Sequence, residues 1–418
     1  MKRLDPNLAL VVAAAFTVAV EALTRSQARY GPECIVTGLA LALAWRGRER
    51  LRPSAVVALA VALPALVGVV HFAKHVDGDI DVQQVYPSQG RALLDGKYPH
   101  SEYPPGAVLL FALEQLIRTP RTVNPFVMAL CQGLVAWCLA RLRVGRWLGA
   151  AVAIWPVNAF FWEFKFDALP TALLVLGLVL AVEERWALAG AAFGVGAAVK
   201  WTPAIACVLL VFWLLSQRRV RPAIGHAAAA AAAFLVVVVP FLVWSPSAVW
   251  ASVDRQAPRG ITAESLWYLP LHAVGKAKPL GAVYDSAAVP DWADTLAVVL
   301  QLAVVAFLAV LLVVRRPHLP GAVAIAASGP ALFLLLNKVF SAQYILTIAA
   351  ALAVAAALLG RELAIAILAG AIAAANVLVY PVGRFWYEAS LLLFVAALVA
   401  CALVMYRSLT ESRYPQPP

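Results

Sequence analysis

The chain has 418 residues, 63% of them hydrophobic and only 13% charged, with a mean hydropathy of +0.84 and a net charge of +11. A soluble domain carries about 25% charged residues, and a chain this apolar would present far too much nonpolar surface to water. The composition excludes a soluble globular protein. The basic excess does not point to a nucleic-acid partner either, because its residues sit in short clusters between apolar runs, as membrane topology requires.

Only helices and closed barrels satisfy the backbone inside a bilayer. The apolar runs are Ala-, Leu- and Val-rich and too long for the alternating strands of a barrel. They predict an all-α, polytopic integral membrane protein with about 12–14 transmembrane helices. In chain order the predicted spans are 7–24, 31–46, 53–72, 123–140, 148–164, 168–183, 187–199, 202–216, 222–244, 293–314, 319–336, 343–358, 362–380 and 388–406. Met1-Lys2-Arg3 precedes the first run, which lacks a clean cleavage site and reads as a signal anchor. The basic clusters at Arg46–Arg52, Arg141–Arg146, 217–221, Arg315-Arg316, Arg361 and Arg407 then fall on one side, the inner one. For this to hold, the short segment 106–118, which carries Glu114, is interfacial or re-entrant. The five cysteines lie in or beside apolar runs and read as small buried hydrophobes.

The chain is expected to form a single polytopic domain, 1–418, whose polar residues gather at the opposite, outer face. The loop 73–122 is the longest polar interruption of the first half and holds Asp77, Asp79, Asp81, Asp95 and Glu102. The loop 245–292 holds Arg255, Arg259, Trp267, Tyr268 and His272, and its aromatic residues suit one or two amphipathic helices lying on the membrane. The turns 158–168, 337–343 and 381–388, together with Lys200-Trp201-Thr202-Pro203, complete this face. No Gly-rich phosphate loop is present.

In the first loop Asp79-x-Asp81 precedes Tyr86, then Leu93-Leu94-Asp95-Gly96, Tyr98 and Glu102-Tyr103-Pro104-Pro105. Downstream come an aromatic turn ending in an Asp (Phe164–Leu169), a small-residue helix ending in Lys200-x-x-Pro203, and Ser341-Ala342-Gln343-Tyr344 opening a late helix. This pattern resembles the polytopic GT-C glycosyltransferases, in particular glycosyltransferase family 87, the polyprenyl-phosphate-mannose-dependent mannosyltransferases of actinobacteria. The resemblance implies a plasma-membrane enzyme with its site facing outward. A sugar, most often mannose, would pass from a polyprenyl-monophosphate donor to a glycolipid or glycan acceptor, with inversion and with a loop Asp as general base. Membrane lipids are the other expected partners.

The residue chemistry suits that expectation. A sugar hydroxyl is a weak nucleophile and gains from a positioned carboxylate base. Asp81 is the first choice for this role and Asp79 the second. Lys200 is assigned to the donor phosphate, because an intramembrane Lys is costly and functional by default. Arg255, Arg259, His272, Gln343 and Tyr344 are further candidates for donor phosphate or sugar. Tyr86, Glu102 and Tyr103 are candidates for acceptor binding or for loop architecture, the two prolines after Tyr103 enforcing a non-helical entry to the next segment. Asp167 reads as a helix N-cap. Asp79-x-Asp81 also resembles a divalent-metal motif, but a monophosphate leaving group needs less neutralisation and Lys or Arg can supply it, so no cofactor is expected. A lipid-linked-sugar flippase or small-solute transporter is the competing reading. Transporters place charges near the midplane in repeated halves, whereas here the charges gather at one face and no repeat is visible.

Overall fold

The computed structural model describes residues 5–24, 30–74, 80–142, 145–155, 165–254, 259–262, 265–276, 290–360 and 386–410. The regular elements among them are helical. They are α1 (Pro6–Leu23), α2 (Tyr30–Arg46), α3 (Pro53–Ala73), α4 (Tyr86–Leu94), α5 (Pro105–Ile117), α6 (Pro120–Arg141), α7 (Gly145–Ile154), α8 (Ala168–Val182), α9 (Trp186–Val199), α10 (Thr202–Ser216), α11 (Val220–Trp244), α12 (Pro246–Asp254), α13 (Tyr268–Ala273), α14 (Asp291–Arg315), α15 (Leu319–Leu335), α16 (Ile345–Leu359) and α17 (Trp386–Thr410). Six of these contain stretches long and apolar enough to cross a membrane, and six more are shorter apolar helices. The predicted span 362–380 lies outside the described residues, as does the greater part of 158–168.

The longest helices turn apolar side chains outward. Val236 and Val243 on α11 are 75% and 79% exposed, and Leu302, Val310 and Val314 on α14 are comparably bare. Water would not tolerate such a surface, whereas lipid chains match it. The chain is therefore a multi-pass membrane protein.

The chain divides into two compact units. The first comprises Met1–Leu176, Val195–Lys200 and Phe234–Gln256, the second Gly177–Gly194, Trp201–Ala233 and Ala257–Pro418. In the first, α3 packs on α1, α6 and α7. A buried pair, Glu21 Oε2 and His71 Nε2 at 2.8 Å, joins α1 to α3. Lys74 Nζ donates to the carbonyls of Glu21 and Thr24 at the end of α1, which serves C-terminal carbonyls left without helical partners. This clasp fixes where the chain leaves α3 for the first loop.

That loop is not a plain connection. After residue 80 the chain makes a wide turn over Asp81–Val85, in which the Tyr86 N–H donates to the Asp81 carbonyl. Pro87 follows at the start of α4. Proline has no N–H to give and its ring crowds the carbonyl four residues back, so the turn opens from i→i+4 to i→i+5. Helix α4 ends at Leu94 and is followed by Gly96, with φ +74°, where the Gly96 and Lys97 N–H groups close on the Leu93 and Ala92 carbonyls. Only glycine enters that region at little cost. The chain then returns along α4, tied by Ser101 Oγ to Gln89 Oε1 at 2.7 Å, and enters α5 through Pro104 and Pro105.

Helix α5 is held by close backbone approaches. A Cβ on Gly90 of α4 would stand 2.5 Å from the Phe111 carbonyl oxygen, and one on Gly106 would stand 2.6 Å from that of Ala198 on α9. Both obstacles are backbone atoms and cannot rotate away. Gly106→Ala is therefore expected to cost about 1–3 kcal/mol and to displace the end of α9 where Lys200 follows. The thermal midpoint of the purified protein in detergent checks this, and an unchanged midpoint would contradict the packing described. Glu114, near the end of α5, is buried.

In the second unit α15 packs against α10, α14, α16 and α17. The segment after residue 259 is laced to the turn between α15 and α16. Thr262 N–H donates to the Lys338 carbonyl at 3.0 Å, Thr262 Oγ1 donates to the Phe340 carbonyl and accepts from the Phe340 N–H, and Trp267 Nε1 donates to the Leu336 carbonyl at 2.7 Å.

Candidate active site

Asp81 stands at the first position of the wide turn that precedes α4. Its Oδ2 accepts from Lys165 Nζ at 2.6 Å. Lys165 precedes Phe166 and Asp167 in a short non-helical run that leads into α8. The Asp167 Oδ1 in turn accepts from Lys200 Nζ, at the end of α9. The three residues 165–167 thus hold an ammonium against Asp81 at one end and a carboxylate against Lys200 at the other. Main-chain reach over two residues is about 7 Å, so the two ion pairs stem from neighbouring points of the chain. The pairs are mostly withdrawn from water: the side chains of Lys165 and Asp81 are 12% and 19% exposed, those of Lys200 and Asp167 20% and 2%.

Phe166, between the two paired residues in sequence, belongs to a cluster of four rings. Tyr86 stacks on Phe111 at 4.1 Å between centroids, and Tyr103 and Phe166 meet both of them edge to face at 5.5–5.8 Å and each other at 5.3 Å. Lys200 Nζ lies 5.7 Å from the Phe166 ring, a cation–π distance. Tyr86 is fully buried within this cluster. Tyr103, half-buried and fixed by its N–H on Ser101 Oγ at 2.9 Å, closes the cluster.

Asp167 does not act merely as the N-cap that its position suggests. Its carboxylate pairs with Lys200, because a carboxylate buried this far requires a cation. Lys165, absent from the sequence candidates, is the partner of Asp81. The only signal for it was its place in an aromatic-charged run, Phe164-Lys165-Phe166-Asp167, and no local pattern says which remote carboxylate such a lysine meets.

The remaining candidates separate. Asp79 and Arg255 lie outside the described residues. Glu102 is half-buried beside Tyr103. Arg259, His272, Gln343 and Tyr344 belong to the second unit. There His272 stacks on Tyr268, with its Nδ1 3.3 Å from the Tyr268 hydroxyl, and Tyr344 meets Phe340 edge to face. Lys338 pairs with Asp294 at 2.7 Å in the same unit. Among the described residues no three His, Cys, Asp or Glu side chains converge as metal ligands would.

The fold defines a helical multi-pass membrane protein in which carboxylates and ammonium groups are paired where helices begin and end. The particular family follows from comparison with known proteins: the model of glycosyltransferase family 87 matches residues 102–336, more than half of the chain, and the protein belongs to that family. It is a membrane glycosyltransferase. The match takes in Lys165, Asp167, Lys200, Arg259 and His272, and begins after Asp81. No curated protein matches the chain.

Proposed function

We propose that the protein transfers a hexose, foremost mannose, from a polyprenyl-monophosphate donor to a glycolipid or glycan acceptor at the outer face of a bacterial plasma membrane, with inversion. The observation that supports this best is the pairing of Asp81 and Lys200 with the first and last residues of one tripeptide, 165–167, which ties the proposed base and the proposed phosphate-binding cation to one segment. In the step proposed, Asp81 takes the proton of the acceptor hydroxyl. The hydroxyl oxygen forms the new bond to the anomeric carbon as that carbon's bond to the phosphate oxygen breaks. The electron pair leaves with the lipid phosphate, which gains one negative charge. The transition state resembles an oxocarbenium ion, as in glycoside hydrolysis, so proton loss comes late and a carboxylate of modest basicity suffices. Lys200 has three N–H donors and can keep Asp167 while donating to the phosphate. The Arg259, His272, Gln343 and Tyr344 side chains are the further donor-binding candidates, with Arg255. No metal is assigned to the site.

The test is transfer of radiolabelled mannose into lipid or glycan by membranes expressing the protein, supplied either with polyprenyl-phosphate-mannose or with a nucleotide-linked mannose. Label is expected from the lipid donor in membranes unable to convert one donor into the other. Label arising from the nucleotide sugar alone would overturn the donor class. Passage of intact donor across proteoliposomes with no covalent product would overturn the reaction in favour of a flippase.

A further inference from the structure

We propose that Lys165 is a positioning residue for sugar transfer, acting through Asp81, an inference that rests on the reading of Asp81 as the base. Its ammonium meets Asp81 Oδ2 at 2.6 Å, and both side chains are largely shielded from water. Exposed pairs of this kind are worth little, since a long lysine side chain must be ordered and water competes for both charges. Here the pair is largely shielded from water and the main chain that carries the lysine is held by the fold. The Lys165 carbonyl accepts from Asn124 Nδ2 at 3.2 Å, and Asn124 is completely buried on α6. The next residue, Phe166, is locked among Tyr86, Tyr103 and Phe111. The one after it, Asp167, is bound to Lys200. The ammonium therefore hangs from a segment anchored at each of three successive residues.

Asp81 needs such a partner. The terminal torsion of an Asp side chain is broad and roughly two-fold, so the backbone alone leaves the carboxylate plane loosely defined. An ammonium on Oδ2 settles which oxygen faces the cation and which edge is turned toward an incoming hydroxyl. A general base works only at hydrogen-bond reach, and a misplacement near 1 Å costs about a hundredfold in rate. Phe166 also carries the arrangement across to Lys200, so the base and the phosphate-binding cation are set by one tripeptide and not by two independent loops.

Steady-state kinetics of the purified protein in detergent, with polyprenyl-phosphate-mannose as the probe, test the proposal on Lys165→Met, Lys165→Arg and Asp81→Asn. Lys165→Met is expected to lower kcat at least about tenfold while the donor KM moves less than about twofold, because the interaction lost acts on the base and not on donor binding. Lys165→Arg, which keeps a cation of similar reach, is expected to recover most of kcat. A kcat for Lys165→Met within about twofold of wild type, with Asp81→Asn inactive, would overturn the proposal and leave Asp81 as the base. Wild-type transfer by Asp81→Asn would overturn both. Should Lys165→Met fail to fold, Lys165→Gln, which keeps a donor without the charge, carries the same criterion.

Discussion

Asp81→Asn is expected to lower sugar transfer by about a thousandfold, the middle of the range for loss of a positioned proton acceptor. The substitution keeps the shape of the side chain and an oxygen able to accept from Lys165, so the local fold has no reason to change. What it removes is the ability to hold the proton of the acceptor hydroxyl. The stability cost should stay below about 2 kcal/mol, the scale of one weakened hydrogen bond to a charged group. Transfer of labelled mannose and the thermal midpoint in detergent, measured on the same preparation, separate the two effects. A variant that melts like wild type and fails to transfer fits the base role. One that transfers at the wild-type rate removes Asp81 from the mechanism and brings Asp79 forward.

The second large effect is expected at Lys200. Lys200→Met should lower kcat/KM for the donor by about a hundredfold, the loss of one preorganised charge facing a leaving phosphate. It should also cost about 3–5 kcal/mol of stability, because it strands the Asp167 carboxylate, which is 2% exposed, without its cation. The double variant Lys200→Met, Asp167→Leu separates the two consequences. With both charges gone no carboxylate is stranded, and stability should return toward wild type, while transfer stays low. Recovery of transfer in the double variant would show that Lys200 matters only as the partner of Asp167.

The helices were legible because lipid imposes one requirement on every spanning segment. Runs such as 202–216 and 319–336 stand almost where α10 and α15 lie, since proline and charged residues mark their ends and apolar residues fill what lies between. The first loop was legible as a polar interruption whose two prolines lead into the separate short segment 106–118. That it folds into a wide turn, α4 and α5 depends on Pro87 and Gly96, whose effects are local, but equally on Gly90 and Gly106, whose importance appears only where another backbone comes within reach.

The site divides along the same line. Lys200 was singled out because a charge at the end of an apolar helix is costly, and Asp81 because its place before Tyr86 matches the family pattern and a sugar hydroxyl gains from a carboxylate base. Their partners could not be read in the same way. Asp167 occupies the position before a helix, where capping explains a carboxylate without reference to any remote residue. Lys165 meets an Asp 84 positions earlier in the chain.

The sequence by itself therefore determined the solvent of this protein, its helical class and its family resemblance, because each of these depends on local composition and pattern. Tertiary structure alone decided that Lys165, Phe166 and Asp167 bridge the candidate base to the candidate phosphate cation. Charge pairing is a matter of distance in space, and the segment meets both partners only once the turn before α4, the start of α8 and the end of α9 come together.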